Sequence, residues 1–288
     1  MGEKDDDYLY RFLFEDFGVR GEFVRLGATW RAIRERRDYP PRVAGALGRA
    51  VAAVTLLSAT IKFRGALVLQ LQGDGLVRSL VAQASDRRTV RGIARYDAGA
   101  PPDAPLFGQA RLVLSAESPS GERYQGIVPV EGEDVAAGLA QYFERSEQLP
   151  TRLWLAADAG HAAGLFLQRM PGDAGDEENW SRVTALAETV SESELLTLDV
   201  ETLLHRLFHE ETLRLFEPEP VAFRCGCSRE KVGEMLAAMG EGEVTQMLDE
   251  TGTIEVQCEF CGQAYRFDAV DAARLFRPAG SEPPERLQ

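Results

Sequence analysis

Cys225-Gly226-Cys227 and, after thirty intervening positions, Cys258-Glu259-Phe260-Cys261-Gly262 are the segments on which the reading of this chain turns. They hold all four cysteines of a 288-residue protein, and no cysteine precedes Cys225. Two thiolate pairs brought together make a tetrahedral four-sulfur site that suits Zn²⁺, a borderline-soft ion without redox chemistry. With every position taken by Cys225, Cys227, Cys258 and Cys261, the site is closed and does not favour a metal-bound catalytic water. Gly262 directly after the second pair predicts a turn that folds the backbone toward the metal. In the first pair a single residue separates the sulfurs. Both can reach one ion, but a disulfide between them would close a small, strained ring, and strained disulfides are the labile ones. Spacing alone leaves two readings open: a structural staple, or a switch in which an oxidant converts thiolates to disulfides and expels the zinc.

Outward from this module the chain is long enough for one large domain and a small one. Its 44% hydrophobic content can fill a substantial core. No run approaches the ~18 apolar residues of a bilayer span. The acidic N-terminus, Met1-Gly-Glu-Lys-Asp-Asp-Asp, is followed by no signal-type apolar core. A cytoplasmic protein with no membrane partner is expected, which agrees with cysteines kept reduced for metal. The net charge of −14 is unevenly placed: residues 1–172 carry 21 acids and 22 bases, 173–219 carry 13 and 3, and 220–288 carry 12 and 7. Such a balance repels polyanions, so nucleic-acid binding by the cysteine module is disfavoured.

Upstream, Tyr8 to Phe17 is aromatic-rich and Val19 to Leu26 alternates like a strand. Trp30 to Arg37 reads as a short helix ending before Tyr39-Pro40-Pro41. From Arg42 to Ile61, apolar residues at Val43, Leu47, Ala50, Val51, Val54, Leu57 and Ile61, with small residues between, predict a buried helix that neighbours approach closely. Leu67, Leu69 and Leu71 alternate into Gly73-Asp74-Gly75 and on to Leu76–Gln83, a hairpin signal. Further strands are expected at 111–117 and 124–130, joined by Ser118-Pro-Ser-Gly-Glu, then a helix from Asp134 to Arg145 and strands at 151–157 and 164–170. The fold class is therefore α+β, with a mostly antiparallel N-terminal sheet domain.

Pro171-Gly172-Asp173-Ala-Gly-Asp-Glu-Glu reads as a linker. Trp180, Val183, Leu186 and Val190 then form a helical stripe, Ser191 and Glu194 a capping box, and Leu203, Leu204, Leu207 and Phe208 a second stripe. These amphipathic helices need a neighbour to bury against. Within the cysteine module, Val232–Met239 reads as a helix, with strands at 252–257 and 264–267. The expected division is a 1–172 core domain, a 173–219 acidic helical linker and a small 220–288 zinc-binding domain.

Enzyme signatures are weak. Gly73-Asp74-Gly75 lacks the third glycine, following lysine and helix start of a phosphate loop, and Lys62 follows no glycine-rich loop. The 1–172 region has no cysteine and a single histidine, His161, in a Gly/Ala turn. His205 and His209 have metal-ligand spacing but no third ligand nearby in sequence, and read as ordinary surface or interface residues. A thioredoxin-type motif would open a helix after a strand, so a dithiol oxidoreductase is disfavoured.

Arg206-Leu-Phe-His-Glu-Glu, Phe216-Glu-Pro, Cys225-Gly-Cys-Ser-Arg-Glu, Gly252-Thr-Ile-Glu-Val-Gln-Cys-Glu-Phe-Cys and Tyr265-Arg-Phe-Asp resemble the 33 kDa redox-regulated heat-shock chaperones. Tyr8 to Leu26, Leu67-Val-Leu-Gln-Leu-Gln-Gly-Asp-Gly and Tyr142-Phe-Glu-Arg-Ser-Glu-Gln-Leu-Pro-Thr are similar to that family too, so the resemblance spans nearly the whole chain. It implies a cytosolic, ATP-independent holdase, inactive when reduced and zinc-bound, and activated by oxidation and unfolding to bind unfolding client proteins. It further implies a dimeric active form and disulfides Cys225–Cys227 and Cys258–Cys261 in the oxidised state. With the resemblance included, the switch is favoured over the staple. The alternative from another class is a constitutive zinc-stabilised adaptor whose cysteines never cycle.

Overall fold

β1 (Tyr8–Phe14) and β2 (Val19–Leu26) pair antiparallel from Tyr8↔Arg25 to Phe14↔Val19, so the aromatic segment and its alternating successor form one hairpin. The computed structural model describes residues 6–117, 121–130, 132–171 and 177–276. The chain divides into two compact units, Met1–Arg224 and Cys225–Gln288.

In the first unit, α1 (Ala28–Arg34) leads to α2 (Pro41–Thr60). Pro41 occupies a first-turn position whose N–H would have no intrahelical partner. Then follow β3 (Arg64–Gln72), β4 (Val77–Ser85), β5 (Thr89–Tyr96), β6 (Ala110–Glu117), β7 (Arg123–Val130) and α3 (Val135–Tyr142), which runs into a π-helical turn, Phe143–Glu147. After β8 (Thr151–Ala157) and β9 (Ala162–Arg169) come α4 (Glu177–Ala187), α5 (Glu192–Thr197) and α6 (Val200–Phe208), then the short strands β10 (Leu213–Leu215), β11 (Glu219–Pro220) and β12 (Ala222–Phe223).

One sheet runs β10-β1-β2-β9-β8, with β11 also on β1, and a second runs β12-β5-β4-β3-β6-β7. Every described pairing in these two sheets is antiparallel except β12 on β5, so the α+β expectation holds. The strand β5 carries no clear sequence signal. Its residues, Thr-Val-Arg-Gly-Ile-Ala-Arg-Tyr, mix arginines and glycine into the alternation, yet it lies inside the sheet with Val90 buried and Gly92 against Leu47 and Val51 of α2.

α2 packs on strands of both sheets, as its small-residue composition predicts. A Cβ added at Gly48 would stand 2.5 Å from the Ala157 side chain, so only glycine allows this approach to β8. The expectation that no stretch reaches bilayer-spanning length needs correction here. By length and a mean hydropathy of 1.5, Pro41–Thr60 passes that test, but 78% of its apolar window is buried inside the protein, and it is a core helix.

The amphipathic stripes find their neighbour on the opposite face of the first sheet. Trp180, Val183, Leu195, Leu203, Leu204, Leu207 and Phe208 are buried against Tyr10, Phe12, Phe14, Val19, Phe23, Leu165 and Leu167. Each fully buried Leu or Phe contributes about 1.5–3 kcal/mol. Phe208 meets Phe14 edge-on, with ring centroids 5.1 Å apart, a geometry that aromatic quadrupoles favour. The Ser191–Glu194 capping box forms as expected. Asp199 caps α6 by accepting from Thr202 N–H at 2.8 Å. Arg25, only 3% exposed, ties sheet to helices: it is ion-paired to Asp6 at 2.6 Å and donates to the Leu198 carbonyl between α5 and α6. Two expected connections lie partly outside the described residues: residues 118–120 of the β6–β7 joint and 172–176 of the linker.

Candidate metal centre

The second unit contains α7 (Arg229–Met239), α8 (Glu241–Thr251), the hairpin β13 (Ile254–Gln257) with β14 (Ala264–Phe267), and α9 (Ala269–Leu275). Of these, α8 and α9 go beyond the sequence-based expectation. α8 is acidic with a single fully buried side chain, Val244, and only a short apolar stripe, Val244, Met247 and Leu248, facing the small core. α9 is announced only by its Asp268–Asp271 capping box. Among the described residues, the buried core of this unit consists of Leu236, Val244, Ile254, Phe267 and Ala272.

Both cysteine pairs sit where the backbone is not in a regular element. Cys225-Gly-Cys precedes α7, whose N-cap Ser228 accepts from Lys231 N–H at 3.3 Å, a preferred capping arrangement. The Lys231 ammonium donates to the Gly226 carbonyl at 2.7 Å, fixing the peptide between the two sulfurs. Cys258 and Cys261 occupy the β13–β14 turn, closed by Cys258 N–H to the Gln263 carbonyl at 2.9 Å and Gly262 N–H to the Cys258 carbonyl at 2.8 Å. Gly262 has φ +74°. L side chains rarely adopt that left-handed conformation, which is why the turn ends on glycine.

The four half-buried sulfurs converge, all within 4.8 Å of one another. Cys225 Sγ lies 3.6 Å from Cys258 Sγ, and Cys227 Sγ lies 3.4 Å from Cys261 Sγ. Tetrahedral zinc with bonds of about 2.3 Å requires sulfur separations of about 3.8 Å. The donor set and its spacing therefore fit zinc.

Hydrogen bonds surround the sulfurs. Burial pushes the metal-free Cys258 thiol up, against the opposing pull of the Cys261 and Phe260 N–H groups that it accepts from. It pushes Cys261 up to about 12, opposed by the Gln263 N–H and reinforced by the neighbouring thiols. A coordinated divalent cation inverts this preference, because metal-bound sulfur is deprotonated outright. The Tyr265 hydroxyl donates to Cys227 Sγ at 3.1 Å, and that bond, ahead of burial, raises the phenol to about 12. Sequence reasoning does not assign Tyr265 or Lys231 to the centre. Tyr265 reads as a strand residue and Lys231 lies just before the expected helix 232–239 with no role assigned, and only the folded hairpin brings Tyr265 back to a cysteine 38 positions away.

Other candidates remain apart from this cluster. His205 on α6 and His209 at its C-terminal cap have tilted rings with centroids 5.8 Å apart, and among the described residues only the four cysteines form a metal-competent group. His161 contacts Asp6, Nε2 to Oδ2 at 3.1 Å. Gly73-Asp74-Gly75 is a hairpin connection in which Asp74 Oδ1 accepts from Gln109 N–H at 2.7 Å. Lys62 is an exposed residue just beyond α2.

A family model described as Hsp33 protein matches residues 7–268. The chain belongs to the Hsp33 family. A 33 kDa chaperonin of Nitrosococcus oceani is 52% identical over 272 residues, covering 94% of each chain. One of Pseudomonas aeruginosa is 46% identical over 294 residues, covering 98% of each. The crystal structure of the Hsp33 homologue of Thermotoga maritima superposes with a TM-score of 0.82 at 24% identity, covering 93% of this chain and 97% of that one, and shows the same fold. Hsp33 membership gives the chain a chaperone role.

Proposed function

We propose that this chaperone is an ATP-independent holdase under redox control, with Cys225, Cys227, Cys258 and Cys261 as ligands of one Zn²⁺ in the reduced, inactive form. The observation that carries the reading is the convergence of four sulfurs in a unit whose buried core is five side chains. So small a core cannot offset chain entropy by itself. Bound zinc would supply folding free energy, on the order of 10 kcal/mol or more for such sites.

An oxidant such as peroxide removes that contribution. Each pair of thiolates would give up two electrons to one peroxide, which takes two protons from solvent, forming one S–S bond and two waters as Zn²⁺ is released. The proposed products are Cys225–Cys227 and Cys258–Cys261. The 3.6 and 3.4 Å sulfur contacts run between the pairs, so within-pair bonding requires the centre to rearrange as metal leaves. The unit then melts. Its chain continues directly from β12, two residues before Cys225, and from the helices α4–α6 further upstream. Release of these helices would uncover Tyr10, Phe12, Phe14, Phe23, Leu165 and Leu167, an aromatic face suited to apolar segments of unfolding clients. In this scheme 1–172 provides client binding and dimerisation, 173–219 the releasable cover and 220–288 the sensor, in a cytoplasmic protein.

The test measures zinc release together with suppression of aggregation of a heat-unfolded client, with reduced protein and with protein treated with peroxide under mild heat. Release accompanied by suppression, the thiol chemistry reversed by reductant and zinc, is the expected result. Zinc that stays bound, or leaves without any gain in suppression, overturns the switch and favours a constitutive zinc-stabilised adaptor.

A further inference from the structure

Cys227 and the second cysteine pair have different kinds of hydrogen-bond donor. Cys258 and Cys261 accept from main-chain N–H groups of their own turn, at Phe260, Cys261 and Gln263. These donors are fixed by the backbone and do not depend on side-chain identity. Cys227 accepts instead from a side chain, the Tyr265 hydroxyl, at 3.1 Å. Tyr265 stands in β14 opposite Val256, and its ring packs on the small core while its oxygen reaches the sulfur. A hydroxyl that donates to a thiolate withdraws density from the lone pair that would attack an electrophile, and it steadies the negative charge that the metal requires. Donors in this position orient ligands, and their loss typically costs about 10–100-fold in metal affinity. Lower basicity also means lower nucleophilicity for a thiolate.

We propose that Tyr265 is a positioning residue of the centre, whose hydroxyl restrains the Cys227 thiolate and sets how readily that one sulfur reacts and how tightly it holds metal. This rests on the four-cysteine metal reading, and not on the disulfide step. It makes Cys227 a ligand whose reactivity a single side-chain oxygen can tune.

The experiment uses full-length, reduced, zinc-loaded protein as wild type, Tyr265→Phe and Arg266→Gln. Iodoacetamide alkylates each cysteine by thiolate attack on its methylene carbon with loss of iodide, and peptide mass spectrometry reads the four rates separately. Phe keeps the ring and removes only the donor. Arg266→Gln breaks the adjacent 2.7 Å pair with Glu255 on the same hairpin and leaves the sulfur contact intact. Tyr265→Phe should speed Cys227 relative to Cys258 and Cys261 by about five- to ten-fold, and weaken zinc in a chelator competition on the order of ten-fold. In cobalt-substituted protein the sulfur-to-metal charge-transfer band should move to lower energy. Arg266→Gln should match wild type in all three. An unchanged Cys227 rate, four rates rising together, or the same selective increase in Arg266→Gln overturns the proposal. So does a Phe variant that loads neither metal, since the residue would then serve folding alone. Failure of the metal reading itself looks different: wild-type protein would bind cobalt without any sulfur charge-transfer band.

Discussion

The first unit buries Trp30, Tyr142, Phe107, Phe166 and most of α2 in one core, and covers the other face of a sheet with three helices in a second. Among its described residues the second unit has a five-residue buried apolar cluster and four cysteine sulfurs. The same chain thus contains a region that hydrophobic burial sustains and a region that, on the proposed reading, relies on a metal held by its four cysteines. The first has enough surplus to bury a carboxyl: Glu22 is 2% exposed, with the Thr60 hydroxyl at 2.9 and 3.0 Å from its two oxygens. The second has no such surplus, as the proposed switch requires.

Metal removal should separate the two units most. A zinc chelator added to reduced protein should remove on the order of 10 kcal/mol from the second unit and little from the first. Hydrogen exchange should then show 225–276 unprotected, with α2 and β3–β6 still protected. Uniform protection in both units would place the second alongside the first as self-sustaining.

Next in size is the cover over the first sheet. Leu203→Asp and Leu207→Asp each put a carboxylate into an apolar contact, at a cost of about 3 kcal/mol or more. Limited proteolysis should then cut within 177–223 without cutting α2, and aggregation suppression should rise before any oxidation. Unchanged cleavage would mean the helices are not held by these leucines.

The smallest effect concerns pH. Burial raises Glu22 from 4.5 to about 7, with the Thr60 bond and nearby Arg20, Arg88 and Arg11 opposing it. Because the folded pKa lies above the unfolded one, the folded state binds the extra proton. Its contribution is complete below about pH 4.5 and is lost as pH rises toward 7. Glu22→Gln should flatten that loss and add up to about 3 kcal/mol at neutral pH. Denaturant unfolding of the first unit at pH 5 and pH 8 measures it, and equal pH slopes in variant and wild type would refute the assignment.

Much of this can be read from the sequence because it is local. The cysteine pairs and Gly262 carry their spacing with them, and the stripes Trp180–Val190 and Leu203–Phe208 repeat at helical period. The Ser191–Glu194 box joins residues three apart. Elements without a local signal escape such a reading: β5, whose arginines and Gly92 obscure its alternation, and α8, which buries little. The acidic 173–219 segment reads as a separate linker, whereas its described helices lie within the compact unit Met1–Arg224.

Residue type and period are enough to put four thiolates within reach of one soft cation and to require a partner for each amphipathic helix. The identity of the partners came with packing. Phe208 found Phe12 and Phe14, Arg25 reached the Leu198 carbonyl across 173 positions, and Tyr265 came to rest on Cys227. Such contacts are set by strand register and by which sheet face remains uncovered, quantities that emerge when distant segments pack together and that no short window of sequence contains.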